Sequence, residues 1–419
     1  MRAPNKSRAV TALLFSLLLV AAAGKAQSAS EPDSRPKIRA ITAFVRLDRA
    51  HYKDQIQDAL TFLRQAKAAY EKTGYEVQTI RITTQPFPEY TRGLSDEQAL
   101  AFFRDYDALA VKEGFDASIG PAMMRDSDDP REAELLEKIL ANSKTLEGSI
   151  FIGGEDGIHW KSIRAAAGVM KYLEANTLHS QGNFSFTTSS FVPDGTPFYP
   201  ASYLASEGKR FAIGLQSANV VADALASTKS PELAEEDLKA SLTIYAQQVE
   251  KTANEISRSS GWKYGGIDLS PAGLKDVSIG RAIENFLGAP MGSSGTLTVS
   301  ALITRALKAI PVTQAGYSGL MLPILEDSVL SQRWTEGRLS LDEMLAYSAV
   351  CGTGLDVIPL PGDVSGDQLA AILGDVASLS VKWHKPLSAR LLPVAGKKAG
   401  DQTEFDDPFL VNAKIQPLP

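Results

Sequence analysis

Along most of this chain the apolar residues switch between two spacings, strict alternation and the three-to-four step of a helix. KIRAITAFVRL gathers β-branched and aromatic residues into a short run and predicts a strand. In HYKDQIQDALTFLRQAKAAYEKTGY, Ile56, Ala59, Leu60, Leu63, Ala66 and Tyr70 share one helical face, and Gly74 is placed to end the helix as a C′ glycine. YEVQTIRIT returns to the strand period, with Val77, Ile80 and Ile82 as core positions. Ser95, followed three residues later by Gln98, predicts a capping box at the start of LSDEQALAFFRDYDALAVKEG. PREAELLEKILANS and IHWKSIRAAAGVMKYLEANT read as helices on either side of the buried strand GSIFIGG. NFSFTTSSF and RFAIGL read as strands, and residues 216–257 as Ala-rich helix interrupted near 227–231.

The second half carries more glycine and turn signals. WKYGGIDLS predicts a strand ending in Asp268, and YSGLMLPILED a strand followed by Glu326 and Asp327. LDVIPLPGD predicts a strand or extended loop, and LSARLLPV the last strand. Helices are expected at SIGRAIENFLG, GTLTVSALITRALKAI, LSLDEMLAYSAV and SGDQLAAILGDVASLSVKW. Strands alternating with helices, and no Pro/Gly/Ser-rich linker, predict a single large α/β domain over residues 35–419.

Residues 1–30 follow a different rule. Arg2, Lys6 and Arg8 precede the apolar run AVTALLFSLLLVAAAG, and small residues around Ala26 and Ser28 follow it. This is the build of a signal peptide, so export to the periplasm or beyond is expected, with no membrane span left after cleavage. A retained N-terminal anchor is the alternative. A net charge of -6 argues against binding to nucleic acid, which needs a basic face. The single cysteine, Cys351, cannot form an intrachain disulfide, so the core alone must hold the fold.

The candidate chemistry lies at strand ends. Asp268, Glu326, Asp327, Asp356 and Asp363 follow or flank second-half strands, where α/β folds build their sites. Converging there, they could serve as acid and base or hold a divalent metal, with Asp268 and Asp363 as first ligands; the structural alternative is that each caps a helix. In VAGKKAGDQTEF, Lys397 and Lys398 stand between Gly396 and Gly400, a loop suited to a carboxylate or phosphate. Ser294 in MGSSGTL opens onto a helix and is a further anion candidate. Cys351 follows a helical run, whose C-terminal end disfavours a thiolate, and has no second cysteine as co-ligand. Packing between the glycines of CGTG is the favoured role, with nucleophile as the lesser one. The sequence contains no HExxH, GxSxG or GxGxxG.

GYEVQTIRITTQPF, GTPFYPASY with FAIGLQSANVV, GGIDLS, GSSGTL, GYSGLMLPILED, YSAVCGTGLDVIPLPGD and PVAGKKAGDQTEFDDPFLVN occur together and in this order. In this the chain resembles domain of unknown function family 711, from about Arg39 to Asn412. The resemblance implies a ten-stranded α/β barrel of the pyruvate formate-lyase and ribonucleotide reductase type. It does not carry glycyl-radical chemistry with it, because the motif around the radical glycine is not matched in GKKAG and an exported protein meets oxygen. Leu204 and Gln216 stand where more polar residues are expected in relatives. The expected function is an enzyme acting on a small anionic metabolite by carboxylate or metal-assisted chemistry. The alternatives are a non-catalytic envelope binder of such an anion and a scaffold protein, and assembly into a homo-oligomer is left open.

Overall fold

The computed structural model describes residues 35–271 and 273–419. The export segment expected over residues 1–30 lies outside the described residues. No helix among the described residues is long and apolar enough to cross a membrane.

Ten strands form one mixed sheet: β1 (Lys37–Val45), β2 (Val77–Thr84), β3 (Asp116–Met123), β4 (Leu146–Gly154), β5 (Gly157–Ile158), β6 (Phe186–Ser190), β7 (Arg210–Gln216), β8 (Lys263–Asp268), β9 (Gly354–Pro361) and β10 (Leu387–Val394). Their order is β8-β7-β1-β2-β3-β4-β6-β10-β9, with β5 paired to β4 as a short hairpin. β1, β2, β3, β4 and β6 run parallel. On one side β7 joins antiparallel to β1, and on the other β10 joins antiparallel to β6. β8 and β9 are the two edges, and they do not pair, so the sheet is open and the expected closed barrel is not formed by strand pairing.

The reason lies between β8 and the helix Ser328–Thr335. YSGLMLPILED, expected as a strand, is irregular. The irregular stretch that contains it begins at Gln314, which bridges to Ile267 of β8, and its Pro323 bridges to Asp356 of β9. The N–H groups of Tyr317 and Ser318, which a ladder would need, instead donate to Asp268 at 2.7 and 2.9 Å. Ser270 adds its own N–H at 3.0 Å and its hydroxyl at 2.6 Å. Gly316 adopts a φ of 59°, and a Cβ there would lie 2.1 Å from the Asp268 carboxylate. Asp268 thus fixes a turn where pattern alone predicts a strand.

Helices cover the outer face of the sheet. Phe62 of the helix Tyr52–Lys72 stacks on Trp262 at 4.4 Å and leans on Phe211 of β7. The capping box of Ser95 and Gln98 is formed, and the break before the helix Pro231–Ser260 falls at residues 228–230. The inner face carries buried hydroxyls that seat an inserted segment around Pro197–Leu204. Thr42 donates to the Pro197 carbonyl at 3.1 Å, Ser118 to the Ser202 carbonyl at 2.7 Å, and Thr83 meets the Ser202 hydroxyl at 2.7 Å. Each such bond contributes about 1 kcal/mol and removes a larger desolvation penalty. Leu204 is buried beside Phe44 and Ala212 in this layer.

Asp268→Ala would strand four buried donors, so chemical denaturation should show a loss of about 3 to 5 kcal/mol. Asp363→Ala, at an exposed turn, should stay within about 0.5 kcal/mol of the parent.

Candidate functional site

The amino-terminal ends of β1 to β4 and β6, the inserted segment and residues 317–326 enclose a cavity of about 560 Å³. Three guanidinium groups enter it from strands: Arg39 of β1, Arg81 of β2 and Arg390 of β10. A charged residue inside a buried strand must be paired or face a polar space, and these do both.

Arg390 is the best partnered. Its Nε donates to Asp356 at 2.7 Å and a terminal nitrogen to Glu326 at 2.5 Å. Burial works against its charge, but Asp356 and Glu326 outweigh it and hold its pKa above the ordinary arginine value. The guanidinium also lies 4.9 Å from the Phe184 ring. The second oxygen of Glu326 reaches toward Arg39 at 3.7 Å, too long for a hydrogen bond. Arg39 makes no side-chain hydrogen bond among the described residues, although it is mostly buried, and burial lowers its pKa. Its five N–H groups are therefore unspent. Arg81 donates to Thr79 at 3.1 Å, stands 3.9 Å from Asp116 and covers the Tyr199 ring at 4.7 Å.

Glu147 of β4 stands among these charges. Its exposure is to the cavity, and among the described residues its carboxyl group has no hydrogen bond and no ion pair. Burial pushes its pKa from 4.5 to about 8, Arg81 pulling it down and Asp116 pushing it up. At neutral pH it is mostly a neutral acid, able to donate a proton or a hydrogen bond. The C-terminal segment closes part of the rim, with Phe409 5.6 Å from Arg39 and Asp407 alongside. Burial raises the pKa of Asp407.

Of the residues the sequence offered, the fold brings together Glu326 and Asp356. Asp268 is fully buried, its oxygens spent on the turn; burial raises its pKa against the donated hydrogen bonds. Asp327 caps two helices, accepting from Val329 and Leu330 in one and from Ile279 and Gly280 in the other. Asp363 is exposed beyond β9, and Ser365 caps the helix that follows. Asp268 is thus sealed in a turn and Asp363 stands on the surface, and no group of three or more His, Cys, Asp or Glu placed to hold a metal occurs among the described residues.

The GKKAG loop lies outside the cavity lining. Lys397 pairs with Glu404 at 2.8 Å, Lys398 is exposed, and Gly396 and Gly400 form left-handed turns. Ser294 is exposed ahead of the helix Thr296–Lys308. Leu204 and Gln216 are buried away from the cavity lining. Cys351 is buried, and the Gly354 N–H points at its sulfur at 3.5 Å. Beside it the backbones of Gly352 and Gly319 touch, where a Cβ on Gly352 would come within 2.5 Å.

Sequence reasoning missed Arg39, Arg81, Glu147 and Arg390. The signal was present: each is a charged residue inside or at the start of an otherwise apolar strand pattern, as in KIRAITAFV and LSARLLPV.

A family model described as Uncharacterised ACR (DUF711) matches residues 32–406. The chain is 31% identical to a UPF0210 protein of Pyrobaculum aerophilum over 364 residues, covering 81% of this chain and 79% of the relative. It is 30% identical to a UPF0210 protein of Pyrobaculum arsenaticum, covering 87% and 86%. A UPF0210 protein of Listeria monocytogenes is 24% identical, covering 88% and 85%.

The raised pKa of Glu147 predicts a stability profile. Between pH 4.5 and about 8 the folded state holds a proton that the unfolded state releases, so rising pH destabilises the fold across that window. Below it both states are protonated and the effect vanishes; above it the penalty is complete, on the order of a few kcal/mol after allowance for screening through the cavity. Glu147→Gln should flatten this part of the profile in denaturation measured from pH 4 to 9. A variant profile parallel to the parent's would assign the slope elsewhere. Cys351→Ala should lose about 1 to 2 kcal/mol in the same assay while ligand binding stays unchanged.

Proposed function

From the premise that this chain belongs to the family described as Uncharacterised ACR (DUF711), we propose that its cavity binds a small organic anion and that Glu147 exchanges a proton with it. The observation that carries this reading is an unpartnered carboxylic acid in one cavity with Arg39, whose hydrogen-bonding capacity is unspent, and with Arg81, whose capacity is only partly used. A carboxylate ligand would accept from Arg39 and Arg81, with the planar fork of each matching its two oxygens. A protonated Glu147 would add a donor where a second carboxylate would repel.

The chemistry follows from that placement. A group with a pKa near the working pH is an efficient general acid or base, because both of its forms are accessible. Asp356 and Glu326 are already committed to Arg390, whereas Glu147 has no such partner and is placed to move a proton. Acid–base chemistry at a carbon or oxygen adjacent to the ligand's carboxylate is the reaction class this supports. The Arg390 pairs give the wall rigidity: a buried guanidinium holding two carboxylates in short bonds tolerates little displacement.

The test needs no prior substrate. A panel of 2-oxo and 2-hydroxy carboxylates is incubated with the protein in D2O, and loss of the C2 proton signal of the hydroxy acids and of the C3 proton signal of the oxo acids, beyond the protein-free rate, is followed by NMR. Wild type should exchange at least one member, Glu147→Gln should slow that exchange by about 100-fold or more, and Arg39→Gln should weaken binding of the same ligand about tenfold or more. Binding without exchange in wild type would leave an anion-binding protein and discard the catalytic part.

A further inference from the structure

The cavity has a second pole that an anion alone does not satisfy. On its β9 and β10 side it is lined by three hydroxyl-bearing residues, Thr353, Ser388 and Tyr317. Tyr317 OH and Ser388 Oγ are in contact, and the Ser388 N–H donates to the Thr353 carbonyl at 2.6 Å. The three are therefore one connected group, assembled from β10, the loop before β9 and the turn that Asp268 holds.

Each hydroxyl brings one donor and two acceptor positions. The Tyr317–Ser388 contact uses one of its two protons, and the other is engaged at most by the long 3.4 Å contact between Ser388 Oγ and Ser189 Oγ. Thr353 is 6% exposed, and its hydroxyl has no hydrogen-bond partner. Its oxygen is shielded as it stands, so a ligand in the cavity would reach it only after a change of χ1 rotamer. A buried hydroxyl without a partner is a rare arrangement in a native protein. Gln78, on the wall near Arg39, likewise keeps a buried Oε1 with no donor. That atom can only accept, so neither a carboxylate nor a phosphate dianion satisfies it, whereas a hydroxyl does.

We infer that the ligand is a polyhydroxylated carboxylate, a compound of the sugar-acid class, with its carboxylate at Arg39 and Arg81 and its hydroxyls at Thr353, Ser388 and Tyr317. This rests on the anion-binding reading of the same cavity and adds to it which anion fits. Three features match such a molecule: arginines for the carboxylate, three neighbouring hydroxyls that can both donate and accept, and the lone acceptor of Gln78, which an O–H satisfies. A site built to hydrogen-bond hydroxyls rejects an analogue without them far more strongly than a hydrophobic pocket rejects an extra one.

Gluconate and hexanoate separate the two readings, since they share a six-carbon chain and a carboxylate and differ in the hydroxyls. Titration calorimetry on the full chain should show gluconate binding at least about tenfold tighter than hexanoate. In Thr353→Val and in Ser388→Ala that ratio should shrink to about threefold or less, with hexanoate affinity unchanged, whereas Arg39→Gln should weaken both ligands alike. Tyr317→Phe retains the ring packing and serves as a further variant should Ser388→Ala fail to fold. Equal binding of the two acids by wild type would overturn the sugar-acid inference and leave the anion site standing. An unchanged ratio in the hydroxyl variants would overturn it as well. Binding of neither acid would overturn both readings.

Discussion

A carboxylate sealed from solvent, Asp268, decides how the two edges of the sheet relate. By accepting the N–H groups of Tyr317 and Ser318 it withdraws them from any ladder with β8. The chain then crosses from one edge to the other as an irregular segment, touching β8 at Gln314 and β9 at Pro323. That segment carries Tyr317 and Glu326 to the cavity. Without the turn, Ser388 would lose Tyr317, Arg390 would lose Glu326, and the cavity would lose a wall. The strand-end aspartate is thus an architectural group, and the chemistry stands on what it positions.

Charge inside the sheet is the second constraint. Ion pairs removed from water contribute little to stability, because desolvation offsets most of the attraction. Arg390 with Glu326 and Asp356 is tolerated since all three are hydrogen-bonded, and the result is a stiff polar wall. Arg39 and Glu147 are not satisfied in this way. A fold under selection for stability alone would place apolar residues there. Their presence in strands rich in apolar residues is a cost in stability that the fold itself does not require.

Much of the fold was legible in the sequence, for local reasons. The helices follow from apolar spacing and caps, down to the Ser95 box and the break before Pro231. β3 escaped notice because DASIGPAM contains Gly120 and Pro121, which interrupt a strand pattern; its register with β4 shifts at Pro121. YSGLMLPILED has the composition of a strand and is not one, because a partner forty-nine residues away claims its donors. Of the proposed carboxylates, Glu326 and Asp356 meet. Capping, burial and surface position account for the placement of Asp327, Asp268 and Asp363.

What the sequence determined by itself is the order of elements, the α/β class and the inventory of charged residues in strands, since these depend on neighbours along the chain. Which of those charges share a space was decided only by tertiary structure. The curl of the sheet sets Arg39, Arg81, Glu147 and Arg390 around one cavity. CGTGLD shows the division most plainly. Its lone thiol is what stands out in the sequence, yet in the fold Cys351 is packed away while Thr353 and Asp356 line the cavity. The physical reason is that a side chain's chemistry follows from its dielectric surroundings and partners, and for these residues both come from strands far away in sequence.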